Sequence, residues 1–180
     1  MNNKNNIDNK VIFVIGLPGC GKSALSKLLA EKLNYTLYDM DSFIEQKEEK
    51  TITDIFADNG EEYFRKVESE VLEELAGMNN AVISTGGGIV LLEKNRNIMK
   101  EKGLTIFIDR NPEIILQNID PRERPLLAKD KNKLLELSKQ RDNLYRECAD
   151  IIFTHNTWED DINNTFIRLH DLIKGFINQI

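Results

Sequence analysis

An α/β fold, with a five-stranded parallel sheet sandwiched between two layers of helices, is what the sequence predicts, and three observations predict it. Short apolar runs alternate with longer amphipathic stretches, the pattern of a parallel sheet buried on both faces. The first run, Val11-Ile12-Phe13-Val14-Ile15, leads directly into the glycine-rich octapeptide G-L-P-G-C-G-K-S at 16 to 23 and then into the amphipathic stretch Ala24-Leu25-Ser26-Lys27-Leu28-Leu29-Ala30. Later strands run into an acidic step, Asp39-Met40-Asp41, and a glycine triplet, Gly86-Gly87-Gly88, both therefore at the carboxyl rim where such sheets bind ligands.

Taken in order, Val11 to Ile15 is the first strand, and the helix after the octapeptide is the first helix. Tyr35 to Tyr38 reads as a second strand, followed by a helix from Ser42. A short helix starts at Thr53, Gly60 punctuates it, and Glu61 to Ala76 carries Phe64, Val67, Val71, Leu72 and Leu75 at helical spacing, with Gly77 as its stop. Ala81 to Ile83 is the third strand, and a helix over Leu91 to Glu101 ends at Gly103. Leu104 to Ile108 is the fourth strand, with Pro112 opening the next helix. The charged, proline-punctuated stretch 119–130 reads as a mobile loop, Lys131 to Cys148 as a helix and Ile151 to Phe153 as the fifth strand. A final helix from about Trp158 carries the apolar stripe Ile162, Phe166, Leu169, Ile173 and Phe176.

At 180 residues, 41% apolar and 30% charged, the chain is expected to form a single domain with its own core over 1–180, apart from a polar tail at about 1–9. A net charge of −6 argues against nonspecific binding to nucleic acid or to anionic membrane. The polar N-terminus lacks the apolar core of a signal peptide, and no apolar run reaches membrane-spanning length. Cys20 and Cys148 show neither a metal-ligand nor a disulfide spacing, which fits a reducing, cytoplasmic setting.

The octapeptide is a phosphate-binding P-loop in its proper strand-to-helix context. Its glycines let successive N–H groups turn toward phosphate oxygens, aided by the positive end of the following helix. Lys22 adds a full charge, and Ser23 is placed to give its hydroxyl to a Mg²⁺ ion bridging the terminal phosphates of a nucleoside triphosphate. Asp39 is placed to hold the metal, directly or through water, and Asp41 to accept a hydrogen bond from a substrate hydroxyl; the plainer alternative is that Asp41 or Ser42 caps the next helix. Arg65 and Glu68 share a helical face, as surface salt bridges commonly do. The glycine triplet marks a place where something approaches the backbone closely.

With these residues in view, the chain resembles the shikimate kinases over nearly its whole length. The resemblance rests on six segments in order: the P-loop, D-M-D-S-F-I-E at 39 to 45, I-F-A-D-N-G-E-E-Y-F-R-K-V-E at 55 to 68, S-T-G-G-G at 84 to 88, R-P-L-L at 124 to 127 and R-D-N-L-Y-R-E-C-A at 141 to 149. It implies a P-loop NTPase fold of the nucleoside monophosphate kinase type, with ATP and Mg²⁺ used to phosphorylate the 3-hydroxyl of shikimate on the route to chorismate and the aromatic amino acids. It implies a shikimate site of Asp41, Arg65, Arg141 and the Gly86, Gly87 and Gly88 backbone, with Glu68 orienting Arg65. It implies ATP contacts from Gly19, Cys20, Gly21, Lys22, Ser23, Ala24 and Arg124, metal ligation by Ser23 and Asp39, and catalytic parts for Lys22, Asp41 and Arg124, the last on a lid at about 119–130. A monomer is the family expectation.

Four departures accompany the resemblance. Ala24 stands where threonine is common, Pro18 where methionine is common, and Asn143 replaces the proline of R-x-P-L-Y. No evident arginine covers the adenine, with Gln117 and Arg122 nearest in sequence. Two rivals stay open: another small-molecule kinase on this scaffold, acting on gluconate or a nucleoside monophosphate, and a nucleotide- or shikimate-binding module without transferase activity.

Overall fold

The structure is a computed structural model that describes residues 11–117, 131–156 and 162–178. The tail at 1–9, the 119–130 segment with Arg122 and Arg124, and the expected helix start at Trp158 lie outside the described residues.

Five parallel strands form one sheet: β1 (Val11–Ile15), β2 (Thr36–Asp39), β3 (Ala81–Ser84), β4 (Gly103–Asp109) and β5 (Ile151–Thr154), in the order β2-β3-β1-β4-β5. All five residues of β1 are buried, as an all-apolar central strand covered on both faces must be. At the edge, β5 alternates, with Ile151 buried and Ile152 turned outward. Pairing of Val14 with Ser84 and of Ile15 with Phe107 aligns the strand ends, so the segments that leave β1, β2, β3 and β4 share one rim.

Seven α-helices connect or follow the described strands: α1 (Lys22–Leu33), α2 (Met40–Glu48), α3 (Ile52–Leu75), α4 (Glu93–Lys102), α5 (Pro112–Gln117), α6 (Lys131–Cys148) and α7 (Ile162–Asn178), with one 3₁₀ turn at Ile89–Leu91. The helix after β2 starts earlier than the sequence predicts, because Asp39 itself is the N-cap: its Oδ1 accepts from the Ser42 N–H at 3.1 Å. Asp41 therefore sits in the first turn of α2, two residues past the cap. Thr51 caps α3 in the same way, accepting from the Asp54 N–H.

Gly60 breaks α3 into two helical segments, with φ of 80° and ψ of 176°, so the chain bends where the sequence places its punctuation. α3 stops directly before Gly77, as the sequence predicts, though Gly77 does not take a left-handed φ. Ala76 ends α3 in the right-handed region and the Gly77 N–H closes a turn onto the Glu74 carbonyl. The expected helix over 91–101 is a 3₁₀ turn followed by α4, and Gly103 ends that helix as expected, its N–H donating to the Met99 carbonyl, in an extended conformation that also opens β4.

Candidate active site

Between β1 and α1 the chain passes through Gly19 (φ 81°) and Gly21 (φ 103°), left-handed positions that suit residues without a Cβ. Lys22, only 8% exposed, curls back so that its ammonium donates to the carbonyls of Gly16 at 2.9 Å and Leu17 at 3.0 Å. Its charge is thereby fixed at the mouth of the loop. Ser23 and Ala24 are exposed on the first turn of α1. Cys20 departs from its expected place. Its N–H closes a turn onto the Leu17 carbonyl at 3.2 Å and its thiol is buried, so it faces the core and not the cleft.

A cleft of about 410 Å³ opens above this loop. The loop side is lined by Pro18, Gly19, Gly21, Lys22, Ser23 and Ala24, and the facing side by Asp39, Asp41, Arg65, Glu68, Gly86 to Gly88 and Arg141. Every predicted site residue within the described residues, Cys20 excepted, thus meets in one cavity. The sequence reading missed its apolar wall of Ile52, Phe56 and Phe64: Phe64 reads as an ordinary core position, and an exposed phenylalanine such as Phe56 carries no signal of its own. It also missed Thr85 on the floor, whose N–H and hydroxyl both donate to the Val14 carbonyl and continue the β1–β3 pairing past the strand end.

The glycine triplet is explained by what surrounds it. A Cβ at Gly86 would lie 3.0 Å from both Asp41 Oδ1 and Glu68 Oε1. One at Gly87 would lie 2.8 Å from Pro18 Cδ, and one at Gly88 would lie 2.6 Å from Arg65 Cζ. Each glycine admits a different functional neighbour. None of the three N–H groups donates to a backbone carbonyl among the described residues.

Arg65 and Glu68 do not form the exposed salt bridge that periodicity alone favours. Arg65 Nη1 donates to Glu68 Oε2 at 2.7 Å, and Glu68 is 1% exposed. A second carboxylate, Glu61, holds the other edge of the guanidinium at 3.1 Å, and the Phe64 ring lies 5.2 Å beneath it. Burial pushes the Glu68 carboxyl above the usual carboxylate range, Arg65 pulls it back, and nearby Asp41 adds to the rise. Arg141, also buried, donates through Nη1 to the Gly87 carbonyl at 3.0 Å, while its Nε has no partner among the described residues.

Three other titratable residues lie away from the cleft. Asp109, at the end of β4, is paired with Arg146 at 2.9 Å and lines a separate cavity of about 270 Å³. His155 is buried and stacked on Phe153, and His170 stacks on Phe166, so neither histidine reaches the cleft.

Comparison with known proteins decides the family. Residues 18–170 match the family model described as shikimate kinase. The chain belongs to the shikimate kinase family. A shikimate kinase of Clostridium beijerinckii is 45% identical over 165 residues, which cover 92% of this chain and 95% of that protein. One from Clostridium botulinum strain Eklund 17B is 42% identical over 151 residues, 84% of this chain and 91% of that one. Among solved structures, the shikimate kinase of Acinetobacter baumannii in complex with shikimate superposes with a TM-score of 0.84 at 34% identity, covering 93% of this chain and 94% of that chain. The expected P-loop kinase fold is borne out, and the activity of the family is that of an ATP-dependent kinase acting on shikimate.

Proposed function

We propose that the chain transfers the γ-phosphoryl group of ATP to the 3-hydroxyl of shikimate, giving shikimate 3-phosphate and ADP, within the biosynthesis of chorismate and the aromatic amino acids. The observation that carries this is the joining of a P-loop to an Asp41–Arg65–Arg141 array in one cleft. A phosphate donor and a small anion bearing hydroxyls fit the two sides of that cavity.

Each side chain has a part that follows from its position. Arg65 and Arg141 present two guanidinium groups to one carboxylate, and the unpartnered Nε of Arg141 supports an anion there. The N–H groups of Gly86 to Gly88, on the cleft wall, address the hydroxyls. Asp41, exposed on the first turn of α2 and next to Gly86, accepts the hydrogen bond of the reacting hydroxyl and orients its oxygen for in-line attack. Lys22 exchanges loop carbonyls for phosphate oxygens and counters their charge. Gly19, Gly21, Ser23 and Ala24 contact the phosphates of ATP, and Arg124, assigned by family resemblance alone, neutralises charge on the transferred group.

The donor set also suits Mg²⁺. The Ser23 hydroxyl and the Asp39 carboxylate line the same cleft, and Asp39 uses Oδ1 on the Ser42 N–H while keeping Oδ2. Such an ion takes one or two protein oxygens and completes its shell with phosphate and water. When bound it supplies charge neutralisation at the β- and γ-phosphates.

A net charge of −6 supports a protein that binds neither nucleic acid nor membrane, and no helix among the described residues is long and apolar enough to cross a membrane. We place it in the cytoplasm, as a monomer built on a single domain. The test is a coupled assay of ADP release with ATP and Mg²⁺, run with shikimate, gluconate, nucleoside monophosphates or no acceptor. Release that depends on shikimate alone supports the reading. Silence with shikimate despite ATP binding would overturn it in favour of a binding module.

A further inference from the structure

Tyr145 lies outside the cleft, is fully buried, and yet its hydroxyl donates to the Gly87 carbonyl, the same oxygen that accepts from Arg141 Nη1. We propose that Tyr145 is a positioning residue for the shikimate half of the site: it fixes the Gly87 peptide, and through it the glycine N–H groups and Arg141. This rests on the assignment of that half of the cleft to shikimate.

Arg141 and Tyr145 are four residues apart on α6 and so project from one face of the helix. A carbonyl oxygen has two lone pairs, and these two donors take both. The Gly87 carbonyl is therefore anchored toward α6 from two points. Because a trans peptide is planar, fixing that C=O also fixes the Gly88 N–H, which points to the opposite side of the same unit. On the far flank of Gly87 stands the Pro18 ring, close enough that no Cβ fits between them. Residue 87 is the sole residue of the triplet without a charged neighbour at its Cβ position, so its orientation depends on these three contacts.

Tyr145 is itself well held. Its ring stacks on Phe107 of β4 at 5.0 Å between centroids and 21° between planes. Burial pushes its phenol well above the ordinary tyrosine range, so the hydroxyl stays protonated and acts as donor throughout the working pH range. The chain Phe107, Tyr145, Gly87 thus ties β4, an interior strand of the sheet, to the glycine backbone. Arg141 gains from the arrangement because its partner oxygen does not move.

Tyr145→Phe removes the hydroxyl and keeps the stacked ring. The expected result is a rise in the shikimate KM of about tenfold, the equivalent of one buried hydrogen bond, with the ATP KM within about twofold of wild type. A merely structural tyrosine would lower Tm and leave both KM values alone. Phe107→Leu, which keeps the hydroxyl but removes its support, is expected to move the shikimate KM in the same direction by a smaller factor. A shikimate KM unchanged within about twofold in Tyr145→Phe, whatever happens to Tm, would overturn the proposal. Loss of shikimate-dependent turnover in the wild-type enzyme would instead remove the assignment on which it rests.

Discussion

Glu68 Oε2 accepts a hydrogen bond from Arg65 Nη1 at 2.7 Å in a place where the glutamate is 1% exposed. A pair this buried has little net stability to offer, since desolvation of both charges offsets their attraction. What it provides is direction. Arg65 is gripped by Glu68 and Glu61 on its edges and by Phe64 on its face, leaving its remaining surface turned to the cleft. The carboxylates set the aim of a cation whose partner is the substrate.

Glu68→Gln keeps the shape of the side chain and removes its charge. The shikimate KM is expected to rise by about ten- to a hundredfold, from a weakened charge-assisted bond, with the ATP KM little changed. Steady-state kinetics in both substrates checks it, and equal rises in the two KM values would show that Glu68 supports the fold and not Arg65.

Acidification should affect binding and stability with opposite signs. Burial raises the Glu68 carboxyl above the ordinary glutamate value of 4.5, so the folded state holds this proton more tightly than the unfolded chain does. Its contribution to stability is therefore full below about pH 4.5, the unfolded value, and is lost as pH rises through the raised folded value. Binding runs the other way, because only ionised Glu68 orients Arg65. The shikimate KM of the wild type is expected to rise on acidification into this range, and Glu68→Gln to flatten that limb. A profile identical in the two proteins would assign the limb to another group.

Gly88→Ala should strike Arg65 without touching any charge. The added methyl would sit 2.6 Å from Arg65 Cζ, and the side chain, being flexible, gives way before the backbone does. The shikimate KM is expected to rise by about tenfold or more while nucleotide binding is kept, consistent with loss of one charge-assisted contact. Retained shikimate affinity would mean that Arg65 has a second productive position.

Much of this site was legible in the sequence because its parts are local. The P-loop announces itself by glycines, Lys22 and Ser23 between a strand and a helix, and alternating apolar runs place it on the rim. The fit of Gly86 to Gly88 against Asp41, Pro18 and Arg65 was not legible, since it arises from residues brought together across the sheet. Nor was the role of Asp39 as cap: the sequence offers Asp41 or Ser42 for that part, and the backbone places the cap at neither of them. Periodicity could not show that Glu68 is buried, because α3 has apolar neighbours on both sides of it that only packing ranks. Cys20 shows the opposite limit, a loop residue whose backbone is committed to a turn that sequence does not reveal.

The central claim is that this cleft sets a substrate hydroxyl against Asp41 beside the P-loop, and Asp41→Asn tests it most directly. Turnover with saturating shikimate and ATP should be measured together with nucleotide affinity in the same variant. The expected result is a fall in kcat of about 10²- to 10⁴-fold, the usual scale of a lost general-base contact, with nucleotide affinity within about twofold of wild type. Full turnover in Asp41→Asn would remove Asp41 from the mechanism and contradict the account.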